Sequence, residues 1–248
     1  MRADTVTAAA VDARLAAIRH MIGPVDDQLN QRIIEGLRLS LAAVSTLDEV
    51  VQYTEVQRRV SEAVQALERD GDLSAATACI RHGRVIEGGT EGACWHLSAS
   101  SLNAIDALVA FRSDDLDRAR SLLCEALWST GVLSELPTFS SLTTRRIHLA
   151  RNLAQTYETV DPRRAGQMCE RLWAVCRGNR DAWEYSHAEG LVLESCDMLL
   201  AIESQVLQLL KRVLAEGADR CQPSVSGELV ADRCDPSFGP ASRGERRG

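Results

Sequence analysis

The sequence predicts an all-α protein made of stacked antiparallel helix pairs. Three observations carry that prediction. Apolar residues recur at three- and four-residue steps along almost the whole chain, alternating strand patterns with hairpin signals are missing, and one helix-start pattern occurs three times at similar intervals.

Taken in order, Val11, Leu15, Ile18 and Ile22 line one face of a first helix, which Gly23-Pro24 interrupts. Leu29, Ile33, Leu37, Leu41 and Val44 continue the pattern, and Val56, Val60, Val64 and Leu67 mark the next helix, ending near Asp70-Gly71. Asp72-Leu73-Ser74-Ala75-Ala76 then reads as an N-cap and first turn. The following helix carries Trp95, Leu97, Leu102, Ile105, Leu108 and Val109 and ends near Ser113-Asp114. A new start follows at Asp115-Leu116-Asp117-Arg118-Ala119. Ile147, Ala150, Leu153, Ala154 and Tyr157 define another helix. Its partner opens at Asp161-Pro162-Arg163-Arg164-Ala165, with proline at the first helical position, where its missing N–H costs nothing. After Asn179-Arg180-Asp181 helical character runs to Ala215. About 35 residues would span about 50 Å, too long for one globular helix, so a break is expected near Gly190 or around Glu203-Ser204, with Gly217 closing the last helix. Residues 219–248 hold three of the six prolines and four glycines, with five acidic residues cancelling five arginines. They are expected to form a disordered tail after a single domain at 1–218.

The three starts share Asp, then Leu or Pro, two variable residues, then Ala, at 72, 115 and 161, so the intervals are 43 and 46. A small residue at the shared position lets two helices approach closely, and each pair leaves an apolar face for its neighbour to cover. Gly71-Asp72-Leu73-Ser74-Ala75-Ala76 and Asp114-Asp115-Leu116-Asp117-Arg118-Ala119 resemble the opening of the second helix of tetratricopeptide-like repeats, over roughly residues 47–178. The chain departs from that family in its longer period, in lacking the Trp and Leu-Gly signature of the first helix, and in lacking the closing Pro. It resembles the irregular, divergent helical repeats of many bacterial regulators and adaptors. The resemblance implies a groove, lined by the first helices, that binds a peptide or protein segment; the pattern along the chain predicts eight to ten helices.

Composition narrows the function. The chain has 248 residues, 45% hydrophobic, 25% charged and 4% aromatic, with a net charge of −7. That acidity argues against a general nucleic-acid binder, which needs a basic surface to displace counterions. Of the 28 cationic residues only Lys211 is a lysine, which removes most routes to Schiff-base or lysine-base chemistry. The N-terminal stretch lacks the uninterrupted apolar run of a secretory signal, and nowhere do about 18 apolar residues run together. A soluble, cytoplasmic protein is expected, with no membrane partner. Of eight cysteines, Cys124, Cys169, Cys176 and Cys196 sit in apolar helical patterns and read as reduced core residues. Trp95, Trp128 and Trp173 read as core as well, Trp183 less clearly.

No nucleophile elbow, phosphate loop or dinucleotide fingerprint is present, so no catalytic residue and no cofactor is assigned. Cys79, His82, Cys94 and His96 are metal-capable but match no zinc module, and are read as scattered rather than ligating. Glu184 and His187 have the spacing of a di-iron helix without the second pair such a site needs. Asp114, Asp115 and Asp117 fit a helix cap better than a metal-diphosphate site. The densest basic group is Arg145, Arg146, His148, Arg151 and Asn152 on one first helix. With Asn103 from the preceding one, Arg145, His148, Arg151 and Asn152 are the candidate contacts to an acidic peptide, since guanidinium geometry suits carboxylates. The expected function is a non-catalytic peptide- or protein-binding module. A helical-bundle enzyme or small-molecule sensor with a polar, possibly metal-holding, interior is the alternative.

Overall fold

The computed structural model describes residues 6–21, 37–88, 92–134, 136–139, 142–185 and 191–219, and in the last two helices the side chains up to Arg177 and from Leu199 to Ala215. Among the described residues the chain is helical and contains no strand. The helices are α1 (Ala8–Met21), α2 (Leu47–Gln65), α3 (Leu73–Glu87), α4 (Ala93–Arg112), α5 (Leu116–Ser134), α6 (Leu142–Gln155), α7 (Pro162–Tyr185) and α8 (Leu191–Asp219), with a further helical stretch at 37–42. None of them is long and apolar enough to cross a membrane.

Local chemistry fixes the boundaries. Thr46 and Glu49 form a reciprocal capping box at the start of α2, the Glu49 backbone N–H donating to Thr46 Oγ1 and the Thr46 N–H to Glu49 Oε2 at 2.7 Å. α2 widens into a π-helical turn over Ala66–Asp70 and stops at Gly71, whose φ of 61° is left-handed, a region glycine enters without a Cβ penalty. Arg112 from the end of α4 donates to the Leu67 carbonyl in that turn at 2.6 Å. The three predicted starts are all observed. Asp72, Asp115 and Asp161 accept from the backbone N–H three residues on, at 2.9, 3.1 and 3.0 Å. Ala76, Ala119 and Ala165, the shared small residues, are fully buried.

Short turns and extensive packing join α2 to α3 and α4 to α5, while α7 packs along α8. α4 is covered on several sides, by α2, α3 and α5. Its approach to α3 is close. A Cβ built on Gly83 would lie 2.6 Å from Leu102 Cδ2, so a larger residue there would require the buried Leu102 side chain to shift. Val56, Ala63, Leu67, Ala76, Ile80, Leu102, Ile105 and Val109 fill the space between α2, α3 and α4. At the other end a larger core unites α5, α6, α7 and α8 with Val11, Leu15 and Ile18 of α1. Leu37 and Leu41 join a third group with Tyr53, Leu97, Leu133 and Leu142, so the stretch 37–42 bridges the two halves.

Several expectations are corrected. Val44 follows the last helical residue of its stretch and is exposed. Trp128 lies one residue, about 100°, from the buried Leu127 on α5, and that rotation leaves it 56% exposed, while Trp173 is buried as expected. Asn179-Arg180-Asp181 lies within α7 and does not begin a new helix. Gly190 lies outside the described residues; Glu203 and Ser204 are inside α8, which also runs through Gly217 to Asp219. Cys124 is disulfide-bonded rather than reduced, whereas Cys79, Cys94, Cys169 and Cys176 are not in disulfides. Helical periodicity puts a thiol on an apolar face but carries no information about what faces it across the interface. Ile22, Leu29, Ile33, His187 and the tail from 220 lie outside the described residues, as do the side chains of Trp183, Glu184 and Cys196.

Candidate functional site

The basic residues of α6 divide according to the faces they occupy. Arg145, His148 and Asn152 share one side at steps of three and four, and Arg151 stands beside them. Each keeps part of its surface in contact with solvent.

Arg145 reaches across to α4, where its Nη2 donates to Ser101 Oγ at 3.1 Å. The same hydroxyl accepts from Gln57 Nε2 of α2 at 2.9 Å and donates to the Leu97 carbonyl at 3.0 Å. Three helices therefore meet at one serine oxygen whose hydrogen-bonding capacity is used up. Arg145 Nε and Gln57 Oε1 are both buried with no hydrogen-bond partner. Burial pushes the Arg145 guanidinium below its ordinary value, and only the Tyr53 phenol acts the other way. A guanidinium does not deprotonate at physiological pH, so this destabilisation is borne as charge.

His148 lies in the field of its neighbours. Burial, then the charges of Arg151 and Arg145, lower it to about 4, so it is a neutral imidazole near pH 7. Arg151 donates to Asn152 Oδ1 at 2.9 Å. It is pushed down by burial and by Arg212, with Cys169 and Glu158 acting the other way. Glu158 is itself held by Arg212, with Nη2 donating at 3.1 Å. Burial pushes the Cys169 thiol up to about 12, so it remains protonated. Arg146 points elsewhere, donating to Ser134 Oγ of α5 at 3.2 Å.

The structure does not bring Asn103 to this group. It is two residues from Ser101, so it emerges on the opposite side of α4, buried, with its Oδ1 accepting from Arg84 of α3 and its Nδ2 donating to Glu125 of α5 at 3.3 Å. Glu87, held by Arg84 at 3.4 Å, extends that bracket; burial raises its carboxyl. Asn103 thus ties α3 and α5 to α4.

The residues missed by sequence reasoning are Ser101, Gln57 and Tyr53. The signal was the run Ser98-Ala99-Ser100-Ser101 inside an otherwise apolar helix. All three serines are buried, and the Ser101 hydroxyl supplies the polar atom that Gln57 of α2 and Arg145 of α6 reach.

The other candidate clusters do not converge. His82 is exposed, and Cys79 packs beside the core between α2, α3 and α4. Cys94 is 3.0 Å from the Glu49 carbonyl, to which it donates. His96 meets the edges of Trp95 and Trp128 at centroid distances of 5.0 and 5.5 Å. Among the described residues no group of three or more His, Cys, Asp or Glu side chains is placed to hold a metal ion.

No protein-family model matches the chain, and neither a curated protein nor a solved structure shows significant similarity to it.

Proposed function

We propose that the protein is a non-catalytic binding module, a tetratricopeptide-like stack of helix pairs that holds an acidic protein or peptide segment against α6. The observation that supports this reading best is the pair Arg145 and Arg151 on α6, two part-exposed guanidiniums pushed down by burial, neither of which forms an ion pair with a described carboxylate. Arg151 and Asn152 extend the polar face along α6, and the neutral His148 between the two arginines offers hydrogen bonds without adding charge repulsion. Asn103 has no part in it. The three aspartate-capped starts with their buried alanines support the reading of the fold as repeated pairs.

Fluorescence anisotropy with labelled glutamate-rich, glycine-serine and arginine-rich peptides tests the proposal. The acidic peptide binds, more weakly at high salt, and the other two do not. Equal binding of all three peptides, or of none, rules the reading out.

A further inference from the structure

α1 and α8 frame an open cleft of about 320 Å³. Asp12 and Arg19 of α1 stand on one wall, Gln208, Lys211 and Arg212 of α8 on the other, and Leu15 with Ala16 adds an apolar side. Three cations thus gather around one carboxylate on a chain whose net charge is −7. Lys211 Nζ donates to Asp12 Oδ1 at 2.6 Å, and Arg212 Nε donates to Glu158 Oε1 at 2.5 Å. Both cations remain about half exposed, and pairs so open to water are weak enough for another anion to compete. Arg19 is exposed and makes no hydrogen bond or ion pair with a described residue, so its whole guanidinium fork is on offer. Lys211 keeps N–H groups beyond the one Asp12 accepts, and Gln208 keeps an amide N–H beyond the one given to Ser204 Oγ at 3.3 Å. Of the 28 cationic residues only Lys211 is a lysine, and it stands at this cleft.

We infer that the cleft binds a small molecule carrying a phosphate group, whose oxygens accept from Arg19 on one wall and from Lys211 and Gln208 on the other. The organic part lies against Leu15 and Ala16. A tetrahedral phosphate turns oxygens in several directions and can be held from two facing helices, whereas a planar carboxylate is matched by one guanidinium in its own plane. A lysine ammonium adds a compact charge to such a group without imposing a plane. Asp12 opposes the anion and gives up part of its hold on Lys211 when the anion enters. Neither Arg145 nor Arg151 lines the cleft, so the site stands independently of the α6 face.

Calorimetric titration of the full chain with glycerol 3-phosphate, inorganic phosphate and succinate tests the site. Wild type is expected to bind glycerol 3-phosphate, more weakly as salt rises. Arg19→Gln and Lys211→Gln should each weaken that binding by about tenfold, the scale of one charge-assisted hydrogen bond. Arg163→Gln on α7 removes the same charge elsewhere and should leave it unchanged. Asp12→Asn should tighten it several-fold. If Lys211 and Asp12 only fasten α1 to α8, the same substitution loosens the cleft and weakens binding, and that result overturns the inference. Arg19→Gln keeps the test free of folding effects, because Arg19 has no contact to lose. Inorganic phosphate bound as tightly as glycerol 3-phosphate supports the polar contacts and overturns the part given to Leu15 and Ala16. No binding of glycerol 3-phosphate, binding that Arg19→Gln and Lys211→Gln leave intact, or succinate bound equally well overturns the site.

Discussion

Two buried charges at opposite ends of the helix array are treated in opposite ways. In the α1–α7–α8 region Glu203 is fully buried, yet Arg14 grips both of its oxygens at 2.8 and 2.9 Å and Trp173 Nε1 donates to Oε1 at 3.0 Å. In the α2–α4–α6 region Arg145 has one neutral hydroxyl and an orphaned Nε. The first arrangement uses a charge to lock helices distant in sequence, since α1 and α8 are 189 residues apart at this contact. The second leaves the electrostatic cost in place. A buried charge that its surroundings satisfy is architecture; one left unsatisfied at a part-open surface is a candidate for recognition.

The largest effect should come from breaking the satisfied site. Glu203→Ala leaves Arg14 and the Trp173 N–H without their acceptor in the interior, and the expected loss is about 3–5 kcal/mol by chemical denaturation. The corresponding truncation of Arg145 is expected to cost nothing or to stabilise. If both substitutions destabilise equally, the contrast between the regions disappears.

Acid should sharpen the contrast at His148. Its folded value near 4 lies below the ordinary 6.5, so the unfolded chain takes up the proton first. The stability tied to its neutral form is complete above about pH 6.5 and is lost as pH falls to about 4. By linkage this amounts to at most about 3 kcal/mol, and less because part of the residue is wetted. Arg145 and Arg151 face it and keep their charge throughout, while Glu87, raised by burial, titrates in the opposite sense. Subtracting a His148→Gln profile from wild type, measured as the denaturation midpoint from pH 7.5 to 4, isolates the term. A flat difference would show that the imidazole is solvated. Binding of a carboxylate at Arg145 should narrow this window, because the anion offsets one of the two charges that lower His148.

How much of this was visible in the sequence follows from what kinds of interaction are local. The aspartate caps at 72, 115 and 161 are three-residue events, and each is found where the pattern put it. The capping box at Thr46 was equally legible, as Thr followed three residues later by Glu, and was overlooked. Periodicity located Leu37, Val56, Ile147 and Leu153 in the core correctly. It misplaced Trp128, because a single 100° step separates it from Leu127. The site lay further from view. α6 announced its arginines, but their counterparts Ser101 and Gln57 are 44 residues apart and meet only through the packing of α2 on α4. Asn103 was assigned to the same surface by equivalence of helices, and a two-residue offset sends it to the other side. The Arg14–Glu203 clamp joins residues too distant for any local pattern to reveal.

The smallest effect tests whether the two regions are one cooperative unit. Asp72 starts α3, which packs on α2 and α4, and Asp161 starts α7 in the α1–α7–α8 region, with nearly identical geometry at 2.9 and 3.0 Å. Alanine at either position removes one acceptor from an exposed N-terminal turn, a loss of about 1 kcal/mol. If the array unfolds as a whole, the two variants shift one denaturation transition by the same amount. α3 and α7 share little contact, so equality would mean that coupling passes through α4, α5 and the bridging stretch 37–42. Should Asp161→Ala shift only part of the signal, the α1–α7–α8 region melts on its own. The Arg14–Glu203 clamp then stabilises that region alone, and binding at Arg145 will raise the stability of the other one only.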